Sequence, residues 1–139
     1  EAMPVEMTRA KLDGYRKLVQ EIPILECELR ELWLTDKGMG NSVIINGKNG
    51  SKKPESVVGF DHERYNRRKE SLQRKKEEAR AIREWIEAIE DGQTRCVFRM
   101  FYVDGMTWER IASKTGHSKS PDYPRLMIRD AYLKKMKIK

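Results

Sequence analysis

The amino-acid sequence predicts an all-α fold, and three observations support this prediction. Two stretches, residues 1–34 and 61–91, repeat apolar residues at the seven-residue spacing of paired helices. A segment rich in glycine and asparagine separates them. The composition, 38% apolar and 37% charged, is typical of long solvated helices around a thin core.

The first helix is predicted to begin after Thr8, whose hydroxyl can cap the free backbone N–H groups of a helix. Its apolar residues alternate in spacings of three and four and form a heptad seam: Tyr15, Leu18, Ile22, Leu25, Leu29 and Leu32. Gly14 and Pro23 weaken this helix. Since Pro23 cannot donate a hydrogen bond to the carbonyl of Val19, we expect a kink or a break there.

Residues 35–60 are interpreted as a flexible, glycine-rich loop. The segment holds five of the nine glycines, and Asn46-Gly47 and Asn49-Gly50 are turn signals. Within it, Val43–Ile45 has the composition of a short strand.

Residues 61–91 are predicted to form a long charged helix that begins near Asp61 and ends at Asp91-Gly92. Its seam is polar at the start, where Arg68 and Lys75 occupy one position, and apolar toward the end. The seam residues are Tyr65, Leu72, Ala79, Ile82, Trp85, Ile86 and Ile89. Together the two helices predict an antiparallel helical hairpin or coiled coil. The same seams are also able to pair between chains, and so thin a seam favours a homo-oligomer, with a dimer preferred.

Residues 92–139 carry the signals of three shorter helices. Thr94–Val103 is predicted to be the first, followed by a turn at Asp104-Gly105. Thr107 is expected to cap the second, which runs to Thr115. A third helix is expected to extend to about Met136. Such a series, with a tight turn between its last two helices, predicts a helix-turn-helix.

The details of the second helix agree with this prediction. Ile111 is expected to face the core, Ala112 is small where the next helix crosses, and Gly116 permits the positive φ of a tight turn. Pro121 and Pro124 lengthen the turn by about two residues. The inward positions of the last helix are then predicted at Pro124, Met127, Ile128, Ala131, Tyr132 and Met136.

Charge indicates what this unit binds. The chain has a net charge of +7, and the stretch from Asp104 to Lys139 holds 9 basic and 4 acidic residues. A basic helix-turn-helix is expected to bind double-stranded DNA, with its last helix in the major groove. The candidate DNA-binding residues are Thr107, Lys114, His117, Ser118, Lys119, Ser120, Tyr123, Arg125 and Arg129.

Two roles are expected within this set. Ser118, Lys119 and Ser120 lie where phosphates meet the start of a helix. Arg125 and Arg129 are expected to project from one face, where arginine can bond guanine edges. Alternatively, these two arginines are solvated or pair with the neighbouring Asp122 and Asp130.

The stretch from Phe98 to Gly116, F-R-M-F-Y-V-D-G-M-T-W-E-R-I-A-S-K-T-G, resembles the C-terminal helix-turn-helix of phage-encoded RinA/ArpU-like transcriptional regulators. That unit is similar to region four of bacterial sigma factors. Residues 7–16 and 124–135 resemble the opening and the close of the same family. The matching motif residues are Thr107, Trp108, Ile111, Ala112 and Gly116, while Lys119 and Arg125 match positions that approach DNA. The two prolines depart from the sigma-factor pattern.

The resemblance implies a phage or prophage protein that binds DNA near a promoter and activates late or packaging genes in the bacterial cytoplasm. Two other functions stay open. One is a small terminase subunit, which recognises packaging sites as a ring-forming oligomer. The other is an adaptor without a DNA role that docks on RNA polymerase.

An enzyme is not expected, because the sequence has no glycine-rich phosphate loop, nucleophile–base set or metal cluster. No cofactor or metal is predicted. Cys27 and Cys96 are interpreted as reduced thiols of a cytoplasmic protein. The sequence contains no apolar run of membrane-spanning length.

Overall fold

The computed structural model of the protein describes residues 6–34 and 62–139. Within these residues the regular secondary structure is helical and no strand is present, which confirms the all-α prediction. The described residues form six α-helices and two π-helical segments of at least five residues each: α1 (Arg9–Asp13), α2 (Tyr15–Leu32), α3 (His62–Glu87), α4 (Gly92–Phe98), π1 (Arg99–Val103), α5 (Trp108–Lys114), π2 (Pro124–Asp130) and α6 (Ala131–Lys135). The predicted 35–60 loop and the Val43–Ile45 strand lie outside the described residues.

The chain divides into two compact units. Unit 1 comprises Glu1–Val19 and Glu77–Lys139, and unit 2 comprises Gln20–Lys76. Most of the buried apolar side chains belong to unit 1. In the described part of unit 2, Leu29 and Leu72 are the only apolar side chains below one tenth exposed. Unit 2 therefore has a thin core, as the composition predicts.

The start of unit 1 follows the sequence signals closely. The Thr8 hydroxyl accepts a hydrogen bond from the backbone N–H of Lys11 at 3.1 Å, which confirms the predicted cap. Gly14 separates α1 from α2 but keeps right-handed helical backbone angles. Backbone bonds continue across it, because the N–H of Leu18 donates to the Gly14 carbonyl at 2.9 Å. Gly14 thus interrupts the helix only slightly.

Helix α2 continues through Pro23, so the predicted break at this residue was wrong. A proline inside a helix removes one backbone hydrogen bond and costs about 3 kcal/mol. Apolar residues on both sides of it, among them Ile22 and Leu25, are half-buried. Helix stability in proteins comes mainly from packing of this kind, so the seam can offset the cost of one proline. The alternative expectation, a kink, stays a prediction.

In unit 2, the charged residues of the α3 seam pair with carboxylates of α2. Arg68 forms an ion pair with Glu28, and the Lys75 ammonium lies 3.1 Å from a carboxylate oxygen of Glu21. Residue numbers rise along α3 as they fall along α2, so the two segments run antiparallel within this unit. The polar positions of the seam therefore have partners of opposite charge, although half-exposed pairs of this kind each contribute about 1 kcal/mol or less.

Helix α3 ends at Glu87, so the predicted end at Asp91-Gly92 was wrong. Asp91 instead caps α4, because its carboxylate accepts from the backbone N–H of Thr94 at 2.9 Å and from the Thr94 hydroxyl at 2.8 Å. These two hydrogen bonds lower the pKa of Asp91. Aspartate followed by glycine serves equally well to end one helix or begin the next, and here it begins one. Consequently α4 starts at Gly92 rather than at Thr94.

Two segments predicted as ordinary α-helix are π-helical. In π1 the backbone N–H of Asp104 bonds the carbonyl of Arg99, five residues earlier, at 2.9 Å. In the last helix, residues 122–123 are α-helical and pass directly into π2 and then α6. Residues 122–135 are called the C-terminal helix below. The wider turn of a π-helix changes which residues face inward.

This change of register explains three errors in the predicted core of the C-terminal helix. The buried residues are Pro124, Ile128 and Leu133, with spacings of four and then five. Met127 and Met136 are instead 61% and 46% exposed. Ala131 is exposed as well, whereas Pro124, Ile128 and the half-buried Tyr132 were predicted correctly. Leu133 was missed, because an α-helical period does not place it on the inner face.

The core of unit 1 holds α5 and the C-terminal helix in place. Val97, Met100, Ile111 and Ile128 form a buried cluster. Beside it, the Phe98 ring lies 5.4 Å from the ring of Tyr132 and 6.0 Å from that of Trp85, measured between centroids. Closely packed aromatic rings leave little freedom for a helix to shift. The core therefore provides a rigid support for the surface formed by α5 and the helix that follows it.

Candidate nucleic-acid interface

Helix α5 is bounded by a threonine cap at its start and by a glycine just beyond its end. The Thr107 hydroxyl accepts from the backbone N–H of Arg110 at 3.2 Å, as predicted. Ile111 and Ala112 have no exposed surface. Gly116 has a φ of +84°, the left-handed conformation expected of it. The sequence signals for this helix and its end are thus confirmed.

Beyond Gly116 the chain folds back before it becomes helical again. The backbone N–H of His117 donates to the Ala112 carbonyl at 2.7 Å, which closes the end of α5. Two turns follow. In the first, the backbone N–H of Ser120 donates to the His117 carbonyl at 2.8 Å, and in the second the backbone N–H of Tyr123 donates to the Ser120 carbonyl at 2.9 Å. Helical structure resumes at residue 122, and Pro124 is buried. Residues 116–121 therefore form a connection that successive backbone hydrogen bonds close into turns.

Two aromatic side chains brace this connection against α4. The rings of His117 and Tyr123 stack with centroids 4.2 Å apart. The His117 Nε2 atom lies 3.4 Å from the Gln93 amide nitrogen. His117 and Tyr123 were predicted as DNA-binding residues, and the structure gives each an intramolecular contact. Gln93 was not predicted to contact this connection, because nothing in its local sequence indicates a partner 24 residues away.

The exposed residues of the connection are polar or basic. Ser118, Lys119 and Ser120 are all exposed, as is Lys114 at the end of α5. Lys134 and Lys135 are exposed at the other end of the C-terminal helix. Lysine ammonium, serine hydroxyl and backbone N–H groups are the donors that proteins use to bind phosphate oxygens. The structure thus leaves Ser118, Lys119 and Ser120, the predicted phosphate-binding residues, open to solvent.

Arg125 is accessible although it has a partner. Its guanidinium lies 2.9 Å from an Asp122 carboxylate oxygen, and the two side chains are 36% and 69% exposed. An ion pair this exposed contributes about 1 kcal/mol or less. Arg125 can therefore exchange Asp122 for a stronger acceptor at low cost.

Arg129 is placed differently from the prediction. Its side chain is only 14% exposed, and it donates to Asp130 at 2.7 Å and to the Tyr102 hydroxyl at 3.2 Å. Its guanidinium carbon lies 5.0 Å from the ring centroid of Trp108 and 5.3 Å from that of Phe101. The expectation that Arg125 and Arg129 project together was wrong, because aromatic faces and a phenol in the unit interior hold Arg129.

The electrostatics of this cluster keep Arg129 charged. Burial alone would lower its pKa, but the hydrogen bond that it donates to Tyr102 and the negative charge of Asp130 outweigh that effect, and the pKa of Arg129 is raised. Burial raises the pKa of Tyr102. At neutral pH the pair is therefore a guanidinium cation bound to a neutral phenol. Such a pair holds two helical segments together, and with its side chain only 14% exposed Arg129 is poorly placed to reach a base.

Apolar side chains are exposed on the same helix. Leu126 is 46% and Met127 61% exposed, and Tyr123 is 39% exposed beside the connection. Since Met127 was predicted to face inward, sequence reasoning did not anticipate an apolar outer surface here. The π-helical register of π2 accounts for it.

No protein-family model, curated protein or solved structure matches this chain. Among the described residues, no three or more histidine, cysteine, aspartate or glutamate side chains form a cluster able to hold a metal ion. Within residues 6–34 and 62–139, no helix combines the length and the apolar character needed to cross a membrane.

Proposed function

We propose that this protein binds double-stranded DNA through α5, the connection at residues 116–121 and the C-terminal helix, acting together as a helix-turn-helix. The observation that carries the proposal is the geometry of α5. Its cap at Thr107, its buried Ile111 and Ala112, and its end at Gly116 fix the helix against π2. This arrangement leaves the outer side of the next helix and its basic flanks available to a duplex.

The charge distribution supports DNA as the ligand. Exposed lysines lie on both sides of the proposed contact surface, with Lys114 and Lys119 near the connection and Lys134 and Lys135 at the far end of the helix. A helix in the major groove is flanked by two phosphate backbones. Basic residues at both ends of such a helix suit those backbones, and contacts of this kind supply most of the affinity for non-specific DNA.

The arginines take separate roles in this proposal. Arg125 is the base-reading candidate, because its pair with Asp122 is exposed and readily exchanged. Arg129 is a positioning residue, which holds the C-terminal helix against Phe101 and Trp108. His117 and Tyr123 brace the connection and reach DNA only through their exposed edges.

We further propose that unit 2 forms a homodimer. Its described core is thin, while Ile24 and Leu34 are 65% and 62% exposed. Burial of apolar side chains between two chains would add the core that unit 2 lacks. A dimer would also place two DNA-binding units on two half-sites, which raises the affinity well above that of one.

In biological terms, the residues that resemble RinA/ArpU-like regulators support a transcriptional regulator of phage or prophage type. Such a protein would act on promoter-proximal DNA in the cytoplasm of a bacterial host.

Binding of wild-type protein to labelled duplex DNA tests the proposal. Lys119→Ala is expected to weaken binding to every duplex, since it removes a phosphate contact. Arg125→Ala is expected to weaken binding to a selected site more than to random DNA. Arg74→Ala, which removes an exposed arginine of α3 in unit 2, is the matched control and is expected to change neither. Absence of duplex binding at low salt would contradict the proposal and leave an adaptor role.

A further inference from the structure

The outer surface of the C-terminal helix combines a small apolar patch with basic flanks. Leu126 and Met127 are exposed, and they follow Arg125, the more accessible of the two arginines in π2. The other arginine of π2, Arg129, points into the unit. The side chains this part of the helix offers to a partner are thus mainly apolar.

We propose that Leu126 and Met127 contact the C5-methyl groups of thymine in the major groove, so that the protein prefers sites with thymines at those positions. This inference rests on the proposed function, and it names the bases that the same surface would read. Thymine is the one base that carries a methyl group on its major-groove edge, and apolar side chains are its natural contacts. Methionine and leucine side chains have no N–H or O–H group, so they cannot recognise the other bases by donating hydrogen bonds.

Charge complementarity favours DNA over a protein as the partner of this patch. Lys119 precedes it and Lys134 and Lys135 follow it along the chain, all of them exposed. An apolar centre between basic flanks corresponds to base edges between two phosphate backbones. A protein partner would have to present acidic groups on both sides of an apolar segment.

Met127 also lines an open groove of about 690 Å³ together with Tyr132 and Met136, whereas Leu126 does not line it. This difference separates the two kinds of partner. DNA contact through the helix surface requires both Leu126 and Met127. A protein seated in the groove would depend on Met127 and Met136 and would be insensitive to Leu126.

The test begins with a random-sequence duplex library, from which full-length protein selects its preferred site. The selected duplex is then made with thymine or with deoxyuridine, which lacks only the methyl group, at each thymine position in turn. Wild-type protein is expected to bind about fourfold more weakly for each contacted methyl that is removed, as loss of one buried CH₂-sized group predicts. Leu126→Ala and Met127→Ala are each expected to abolish this difference at one position.

Two control variants make the result specific. Lys119→Ala is expected to weaken binding to both duplexes equally and to preserve their ratio. Met136→Ala removes a methionine that is 46% exposed, the same fraction as Leu126, and is expected to leave the ratio unchanged. Circular dichroism checks that each variant is folded, which is expected because all the replaced side chains are exposed.

Three outcomes would overturn the inference. Equal binding of the thymine and deoxyuridine duplexes to wild-type protein would refute methyl contact while leaving DNA binding intact. If Leu126→Ala and Met127→Ala still distinguish the thymine duplex from the deoxyuridine duplex as wild-type protein does, other residues contact the methyl groups. Failure to select any duplex would refute the proposed function itself, and the methyl-contact inference with it.

Discussion

Replacing Arg129 with alanine removes the contacts that hold the C-terminal helix against π1 and α5. The guanidinium donates to the Tyr102 hydroxyl at 3.2 Å, and its carbon lies 5.0 Å from the centre of the Trp108 ring. Loss of a hydrogen bond that involves a charged group costs about 1.5 kcal/mol. Loss of a partly buried cation–π contact costs about 1 kcal/mol more. We therefore expect Arg129→Ala to lower the free energy of unfolding by about 2.5 kcal/mol.

Urea denaturation followed by tryptophan fluorescence measures this change, since Trp108 lies in the affected cluster. Arg125→Ala is the matched control, because it removes an arginine of the same π-helical segment whose ion pair with Asp122 is exposed. We expect that control to cost less than about 1 kcal/mol. A double-mutant cycle between Arg129→Ala and Tyr102→Phe should give a coupling energy of about 1 kcal/mol.

The DNA-binding readout should show the reverse order. Arg125→Ala is expected to weaken specific binding with little loss of stability. Arg129→Ala should lose stability, and its folded fraction should keep most of its discrimination between sites. If Arg129→Ala proves no more destabilising than Arg125→Ala, the inward placement of Arg129 and the separate roles assigned to the two arginines are refuted.

Three further predictions concern local backbone and charge. Gly116→Ala should lower the free energy of unfolding by about 1 kcal/mol in a denaturant titration, because Gly116 has a φ of +84°. Space is open around the position, so the cost comes from the backbone and not from a clash. An unchanged denaturation midpoint would contradict this prediction. The pKa of Asp91 is lowered in the folded protein, so its stabilising effect is present above about pH 4 and is lost as the pH falls through the folded pKa. In a plot of unfolding free energy against pH, Asp91→Asn should therefore show a smaller loss of stability in acid than wild-type protein. An equally large loss in acid would count against the cap. Lys137 has a φ of 59° and lies just beyond the end of α6, where the Ile138 N–H donates to the Leu133 carbonyl at 2.9 Å. Lys137→Gly should therefore raise the free energy of unfolding by about 1 kcal/mol, whereas Lys135→Gly, inside α6, should lower it. A change of the same sign in both variants would refute the left-handed backbone at Lys137.

Features set by neighbouring residues could be predicted from the sequence. The Thr8 and Thr107 caps and the left-handed Gly116 depend on one side chain and the backbone within four residues of it, so local pattern suffices for them. The heptad seams also indicated which helix faces are covered. Asp91 was misplaced because the same residue type that ends a helix in a turn can cap the next one.

Features set by distant contacts could not be predicted in this way. The burial of Leu133 and the exposure of Met127 follow from π2, and the sequence periodicity gives no sign of that π-helical register. The position of Arg129 depends on Phe101 and Trp108, which lie more than twenty residues away in sequence. Charge and spacing alone therefore assigned it to the outer face with Arg125.

The central proposal, DNA binding through the helix-turn-helix, is tested most directly by the salt dependence of binding to a labelled duplex. If about four of the exposed basic residues neutralise phosphates, the logarithm of the binding constant should fall with a slope of about −3.6 against the logarithm of salt concentration. Affinity should then drop on the order of 100-fold between about 50 and 200 mM salt. Lys119→Ala should reduce the slope by about 0.9, while Arg74→Ala should leave it unchanged. Undetectable binding at about 50 mM salt, or an equal slope in Lys119→Ala and wild-type protein, would contradict the proposed interface.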